Sequence, residues 1–259
     1  MIIFLIKLIA APLLLALATL AARRWGTVLG GILIGLPLIS GPISVFLAIE
    51  NGAGFAVETA RGALAGTVAL AVFTCVYAAV CPKGWLKASF LSVALYVLAS
   101  WIAAELPISA VTLAVSPAAA IILSLWIMPV PHGAAVKHRP PKHDLLMRMG
   151  MMMVLMIAIT FLAPYIGPTA SGIASTFPYM ALTMAVFSQI QGGPDNARRA
   201  MHGLMLGMYS GLVFNLVVWA LAAEGQRVRL RLLIAYAAAT AAALAAQGVV
   251  LALTLKKTA

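Results

Sequence analysis

Charged side chains are scarce in this sequence, and acidic ones are the scarcest. Asp, Glu, Lys and Arg together make up 9% of the 259 residues, with 17 basic side chains against 6 acidic ones. Soluble domains are roughly half apolar, whereas 64% of these residues are hydrophobic. No water-soluble fold hides that much apolar surface, so the composition predicts an all-α integral membrane protein.

The sequence also lacks the residue patterns of enzymes and metal proteins. Its 2 cysteines, Cys75 and Cys81, have neither metal-ligand nor disulfide-framework spacing. Three histidines, His132, His138 and His143, lie in a basic linker with no carboxylate or thiol at ligand spacing. Zinc-protease, serine-hydrolase and phosphate-loop motifs are absent. We therefore expect no enzymatic activity, no metal and no cofactor.

The net charge of +11 would suggest a nucleic-acid partner in a soluble protein. Here the basic residues lie between apolar segments, where they orient a membrane protein, so no nucleic-acid partner is expected.

Long apolar segments recur along the whole chain. About 20 apolar residues are needed for a helix to cross the ~30 Å hydrocarbon core, and we predict about nine transmembrane helices on that basis. They lie near 2–22, 26–49, 59–80, 85–104, 107–129, 145–165, 168–190, 199–222 and 231–255.

Most basic residues fall on one side of such a bundle, at positions 23–24, 83–87, 137–148, 198–199 and 256–257. The positive-inside rule places this side in the cytoplasm, the N-terminus outside and the C-terminus in the cytoplasm of a bacterial-type inner membrane. The three arginines at 227–231 are the exception.

The chain contains an internal duplication. Residues 26–79 share 15 identities with the residues 141 positions later, whereas apolar segments of this composition agree at roughly one position in ten. The identities include glycines and a proline: Gly26, Gly31, Pro37, Gly62 and Gly66 fall on Gly167, Gly172, Pro178, Gly203 and Gly207.

The duplication divides the chain into three parts. Residues 1–106 form a first four-helix repeat, 107–144 a linker helix with a basic cytoplasmic loop, and 145–259 a second four-helix repeat. With nine crossings the second copy is inverted relative to the first, an arrangement typical of secondary transporters. If helices 2 and 7 re-entered the membrane without spanning it, the two copies would be parallel.

Matched prolines interrupt helices 2 and 7. Proline removes a backbone donor and clashes with the preceding turn, so we expect both helices to kink or break. Paired breaks near the midplane favour a transporter binding site, although proline also kinks membrane helices that bind nothing. The proposed substrate-binding residues are Pro37, Ser40, Gly41, Ser44, Thr176, Pro178, Tyr179 and Asn215.

Several other polar or small residues have two interpretations. Arg61 and the matched His202 begin helices 3 and 8, where they either attract an anion or anchor the helix at the interface. Lys7 and the matched Arg148 are expected to snorkel to opposite faces. The pairs Gly62–Gly66 and Gly203–Gly207 are interpreted as helix-packing surfaces.

The second half resembles a known family at 165–167, 177–182 and 207–210, which read Tyr-Ile-Gly, Phe-Pro-Tyr-Met-Ala-Leu and Gly-Met-Tyr-Ser. These motifs are similar to those of the small GlpM/YdgC-type inner-membrane proteins. The resemblance covers about 100 residues, from 145 to 251, and implies that the chain is a fused pair of four-helix units. The first half keeps Pro37 but lacks the neighbouring phenylalanine and Ala-Leu pair.

Two functions are consistent with these observations. The first is a secondary transporter of a small, anionic or amphipathic solute by alternating access. The second is a membrane scaffold or accessory subunit that transports nothing. The expected partners are the lipid bilayer and a small solute, with a second copy or another membrane protein as the alternative.

Overall fold

The computed structural model describes residues 2–37, 53–105, 109–132, 143–162, 177–224 and 229–256. In these ranges every regular element is helical and there is no strand, so the predicted helical class is confirmed. The helices are α1 Ile2–Trp25, α2 Thr27–Gly35, α3 Ala53–Val80, α4 Trp85–Glu105, α5 Ala110–Ile127, α6 Asp144–Leu162, α7 Tyr179–Glu224 and α8 Arg229–Lys256. A 3-10 turn at Cys81–Lys83 joins α3 to α4.

Three glycines with positive φ mark the sharp turns of the described chain. Gly26 (φ 103°) separates α1 from α2, Gly84 (φ 107°) precedes α4, and Gly193 (φ 75°) lies inside α7. Residues with a Cβ rarely adopt these dihedrals. Glycine therefore lets the chain change direction within one or two residues.

Helix α7 is a helical hairpin that turns back at Gly193. Gly30 and Gly31 are neighbours on α2, yet a Cβ added to them would lie 2.8 Å from Met184 and 2.7 Å from Leu204. In a straight helix those two α7 residues would be about 30 Å apart. The chain therefore reverses between them, giving a first arm (179–192) and a second arm (194–224).

This hairpin is the centre of the bundle. Within the described part of the chain, α7 contacts all seven other helices. Its buried Met184, Met201 and Met205 pack in one core with Tyr77 of α3 and Tyr96 of α4. A smaller cluster joins Phe214 of the second arm to α3 and α8. The two arms thus hold the bundle together.

Large apolar side chains cover much of the outside of the bundle. Three stretches are long and apolar enough to cross a membrane by length and composition: Val57–Lys83, Trp85–Ala103 and Tyr179–Ala220, the last of which contains both arms of α7. Soluble monomers rarely expose apolar surface on this scale, which suggests a membrane location. The exposed side chains include Leu13, Leu17, Phe90, Leu98, Val115, Ile122, Leu146, Val154, Leu244 and Val249.

Each of the nine predicted segments contains helix in the described residues, once the two arms of α7 are counted separately. Nine membrane crossings, the inverted repeat and the three-part division remain predictions. Helix α3 begins at Ala53, six residues before the prediction.

Candidate functional site

The two predicted helix breaks lie at the end of α2 and the start of α7. Helix α2 stops at Gly35, and Leu36 is extended (φ −69°, ψ 145°) just before Pro37, as expected because proline disfavours a helical residue before it. Pro178 is buried and immediately precedes α7, where its carbonyl accepts from Leu182 N–H at 2.9 Å. Both prolines therefore mark a helix terminus.

Helix α2 ends against protein. A Cβ added at Gly35 would lie 2.6 Å from the Leu204 carbonyl oxygen and 2.7 Å from the Gly207 Cα. Small residues, here Gly35 and Gly207, let two helix backbones approach this closely. With 9 residues, α2 is about 13 Å long, and it ends beside the second arm of α7.

An aromatic cluster surrounds the start of α7. The Phe177 ring lies edge-on to the buried Tyr96 ring at a centroid distance of 5.8 Å, and 5.3 Å from the Tyr179 ring. Tyr179 is half-buried. The start of the first arm is thus packed against α4.

Four predicted site residues, Ser40, Gly41, Ser44 and Thr176, lie outside the described residues. Asn215 is described, and its Nδ2 donates to the Gly211 carbonyl at 2.8 Å within its own helix.

The antiparallel packing of α3 and the second arm separates Arg61 from His202. Arg198 donates to the Ala78 carbonyl at 3.2 Å, while Ala60 packs with Phe214. Arg61 therefore lies near the end of the second arm, about 20 Å along the helix axis from His202, and the two share no site. Arg61 forms an exposed pair with Glu58 at 3.1 Å, and the His202 ring contacts the Pro129 carbonyl at 3.4 Å.

The structure contains a polar site that the sequence reasoning missed, which we name the charged cluster: Arg23, Asp144, Arg148 and Gln191. Arg23 Nη2 donates to Asp144 Oδ2 at 2.6 Å, and Arg148 Nε donates to the same carboxylate at 3.0 and 3.2 Å. Gln191 Nε2 also donates to Asp144, and Gln191 Oε1 accepts from Arg148 Nη2 at 2.8 Å. One carboxylate thus joins α1, α6 and the first arm of α7.

The charged cluster is nearly closed to solvent except at Arg23. Asp144 is 1% exposed and Arg148 is 4% exposed, while the Arg23 side chain is 35% exposed. The Arg148 guanidinium lies 4.8 Å from the centroid of the Phe187 ring, and its Nη1 lies 3.7 Å from Met184 Sδ. The prediction that Arg148 snorkels to the interface is wrong, because Asp144 and Gln191 hold it inside the bundle.

Two signals for this site were present in the sequence. Asp144 and Arg148 are four residues apart, so they share one helix face, and Gln191 is the position matched to Glu50 in the repeat. The predicted division of the chain separates the pair, because it places Asp144 in the linker and Arg148 in the second repeat. The meeting of Arg23 with Asp144 is a tertiary contact that no local pattern reports.

A second network ties the end of α3 to the turn of α7. Tyr77 Oη donates to Gln189 Oε1 at 2.9 Å, and Gln189 Nε2 donates to the Cys81 carbonyl at 2.6 Å. Arg198 also bonds Asp195 at 3.1 Å. These bonds satisfy buried polar groups and fix the hairpin turn against α3.

These contacts bring several chain ends to one end of the bundle: the ends of α1, α3 and α5, the start of α6 and the turn at Gly193. Three exposed tryptophans lie on this same side, Trp25 at the end of α1, Trp85 at the start of α4 and Trp126 near the end of α5. Arg23, Arg24, Lys83, Lys87, Arg198 and Arg199 lie there as well. We call this the basic end.

In the described ranges, no group of three His, Cys, Asp or Glu side chains is placed to hold a metal ion. No protein-family model, curated protein or solved structure matches this chain.

Proposed function

We propose that the chain is a secondary transporter of the bacterial-type inner membrane that moves a small, anionic or amphipathic solute by alternating access. The observation that carries the proposal is the pair of helix termini at Pro37 and Pro178, both beside the central α7 hairpin. Helix termini leave backbone groups without intrahelical partners, and interrupted helices supply such groups to transporter sites. The positive N-terminal dipole of the first arm favours an anion.

The basic end supports the proposed orientation. Exposed tryptophans are typical of membrane interfaces, and clustered Lys and Arg are typical of the cytoplasmic one. Helix α1 ends at the basic end, so the N-terminus would lie outside. Helix α8 packs antiparallel to the second arm through Tyr236 and Phe214, which would return the C-terminus to the cytoplasm.

Helix directions support an inverted repeat. Residues 53–80 of α3 match 194–221 of the second arm in the duplication, and these equivalent helices run antiparallel, with Ala78 near Arg198 and Ala60 near Phe214. A parallel repeat would align them in the same direction. Helices α1 and α6 also match, and Arg23 at the end of α1 meets Asp144 at the start of α6, as antiparallel helices require.

Thiol labelling from each side of sealed vesicles tests the proposal. Leu36→Cys and Tyr179→Cys would be made separately in a background in which Cys75 and Cys81 are replaced by alanine. We expect aqueous reagents to label both positions. The face of the membrane from which they are labelled should change when the solute gradient is reversed. Leu98→Cys, on the exposed apolar face of α4, is the control that aqueous reagents should not label.

The alternative is a membrane scaffold or accessory subunit, and one observation favours it. A Cβ added at Gly62 would contact nothing within 4 Å in the described part of the chain, leaving a small-residue surface where another membrane helix could pack. Protection of positions 36 and 179 from both faces under all gradients would favour this function over transport.

A further inference from the structure

The charged cluster carries more positive than negative charge. Arg23 and Arg148 meet one carboxylate, that of Asp144, so the cluster has a formal charge of +1. An ionised group removed from water is costly unless it is paired and hydrogen-bonded. Within the described residues the cluster therefore carries one uncompensated positive charge, which is open to solvent at Arg23.

The described acidic residues do not balance this charge. Glu58 pairs with Arg61 and Asp195 with Arg198, while Glu105 and Glu224 end helices α4 and α7. The sixth acidic residue, Glu50, lies outside the described residues. Among the residues that the structure describes, Asp144 is the one anion in contact with the two arginines.

The arginines retain donors for a second anion. Arginine has five N–H donors, and Arg148 uses Nε and Nη2 on Asp144 and Gln191. Its Nη1 faces the Met184 thioether at 3.7 Å, which is a weak acceptor. Arg23 is partly exposed and gives access from the basic end. The planar arginine fork matches a carboxylate.

The neighbours of Arg148 set the character of the anion. Phe187 and Met184 form an apolar surface beside the guanidinium, and a charge of +1 is balanced by a single negative charge. We propose that the charged cluster binds a small monocarboxylate with a short apolar tail. The carboxylate of this ligand lies beside that of Asp144, between Arg23 and Arg148. As the solute class of the transporter, this monocarboxylate rests on the proposed function. Its binding to the charged cluster is tested separately from transport.

The test is thermal unfolding of the full-length protein in zwitterionic nanodiscs, with butyrate replacing chloride at constant ionic strength. A ligand that binds the folded state raises the unfolding temperature with its concentration. We expect butyrate to raise it for the wild type, with the rise lost in Arg148→Gln and weakened in Arg23→Gln. Arg198→Gln, which removes another arginine of the basic end, should keep the full rise. If Arg148→Gln does not fold, the variant at the partly exposed Arg23 still decides the outcome.

Asp144→Asn provides a readout that a purely structural cluster would not give. It raises the formal charge of the cluster to +2. The affinity for the divalent succinate relative to that for butyrate should therefore rise by about tenfold. Equal responses of wild type and Arg23→Gln, or no response to any carboxylate, would overturn the proposal. So would a rise that appears only when anionic phospholipid is added, since the site would then hold a lipid headgroup.

The two proposals fail separately. Butyrate-dependent stabilisation without alternating thiol access would leave the binding site standing and reject transport. Alternating access without any carboxylate effect would support transport and reject the carboxylate site.

Discussion

Two glycines related by the duplication should respond oppositely to the same substitution. Gly203, on the second arm of α7, faces α2 so closely that an added Cβ would lie 2.7 Å from the Val28 carbonyl carbon and 3.0 Å from its Cα. Gly62, the matched residue on α3, has nothing within 4 Å in the described part of the chain. We predict that Gly203→Ala destabilises the protein and that Gly62→Ala does not.

The magnitude follows from the contact. Ordinary Cβ contacts lie at 3.4–4 Å, and the atom nearest the added Cβ is the Val28 carbonyl oxygen, which it would overlap. Helix α2 and the second arm would therefore have to separate by more than about 1 Å, and overpacking of this kind costs about 1–3 kcal/mol. Replacing glycine by alanine in a helix returns up to about 1 kcal/mol. The net loss for Gly203→Ala is about 1–2 kcal/mol, a fall of roughly 2–8 °C in unfolding temperature. Gly62→Ala should leave that temperature unchanged or raise it by a few degrees.

The assay is thermal unfolding of both variants in the same detergent, followed by circular dichroism. Gly203→Val should fall further than Gly203→Ala, since a larger side chain forces a wider separation. Equal stability of Gly203→Ala and the wild type would refute the packing of α2 on the second arm. Equal losses in both alanine variants would show that another segment covers Gly62.

Three further predictions concern the hairpin and the membrane interface. Gly193→Ala should lose about 1–3 kcal/mol of stability, because φ 75° with ψ −177° is a glycine conformation, whereas Gly150→Ala, in an open helical position, should not. Tyr77→Phe should lose about 1–3 kcal/mol in chemical unfolding, because it removes the donor that the structure describes for the buried Gln189 Oε1. An unchanged midpoint would contradict the bond. Trp126 is 84% exposed, and its fluorescence can be measured in a variant in which it is the sole tryptophan. Lipids brominated near the headgroup should quench this fluorescence most. Stronger quenching by lipids brominated near the chain end would contradict an interfacial position.

The helical architecture was readable because it depends on local patterns. Apolar length and the glycine and proline positions located the segments. Pro37 and Pro178 lie at helix termini in the described residues, while an interruption within helices 2 and 7 stays a prediction. The packing role of Gly203 and Gly207 against α2 is confirmed, since added Cβ atoms there would overlap α2 backbone. Gly62 does not make such a contact in the described residues, although the sequence pattern is the same.

The charged cluster was not readable because its charge balance depends on tertiary contacts. On the sequence alone, Arg23 and Arg148 belong to two separate basic stretches and Asp144 to the linker. Only the packing of α1 and α6 on the first arm of α7 brings the two arginines to one carboxylate. The depth of Arg148 likewise follows from Asp144 and Gln191, which hold it inside where an isolated arginine would reach for the headgroups.

Solute counterflow tests the central claim of transport most directly. Proteoliposomes loaded with unlabelled lactate, pyruvate or succinate would be diluted into a trace of the same labelled acid, an arrangement that detects exchange whatever the coupling ion. We predict transient accumulation of at least one monocarboxylate above protein-free liposomes, with the accumulation lost in Arg148→Gln and kept in Arg198→Gln. Accumulation of neither lactate nor pyruvate by folded wild-type protein would contradict the account.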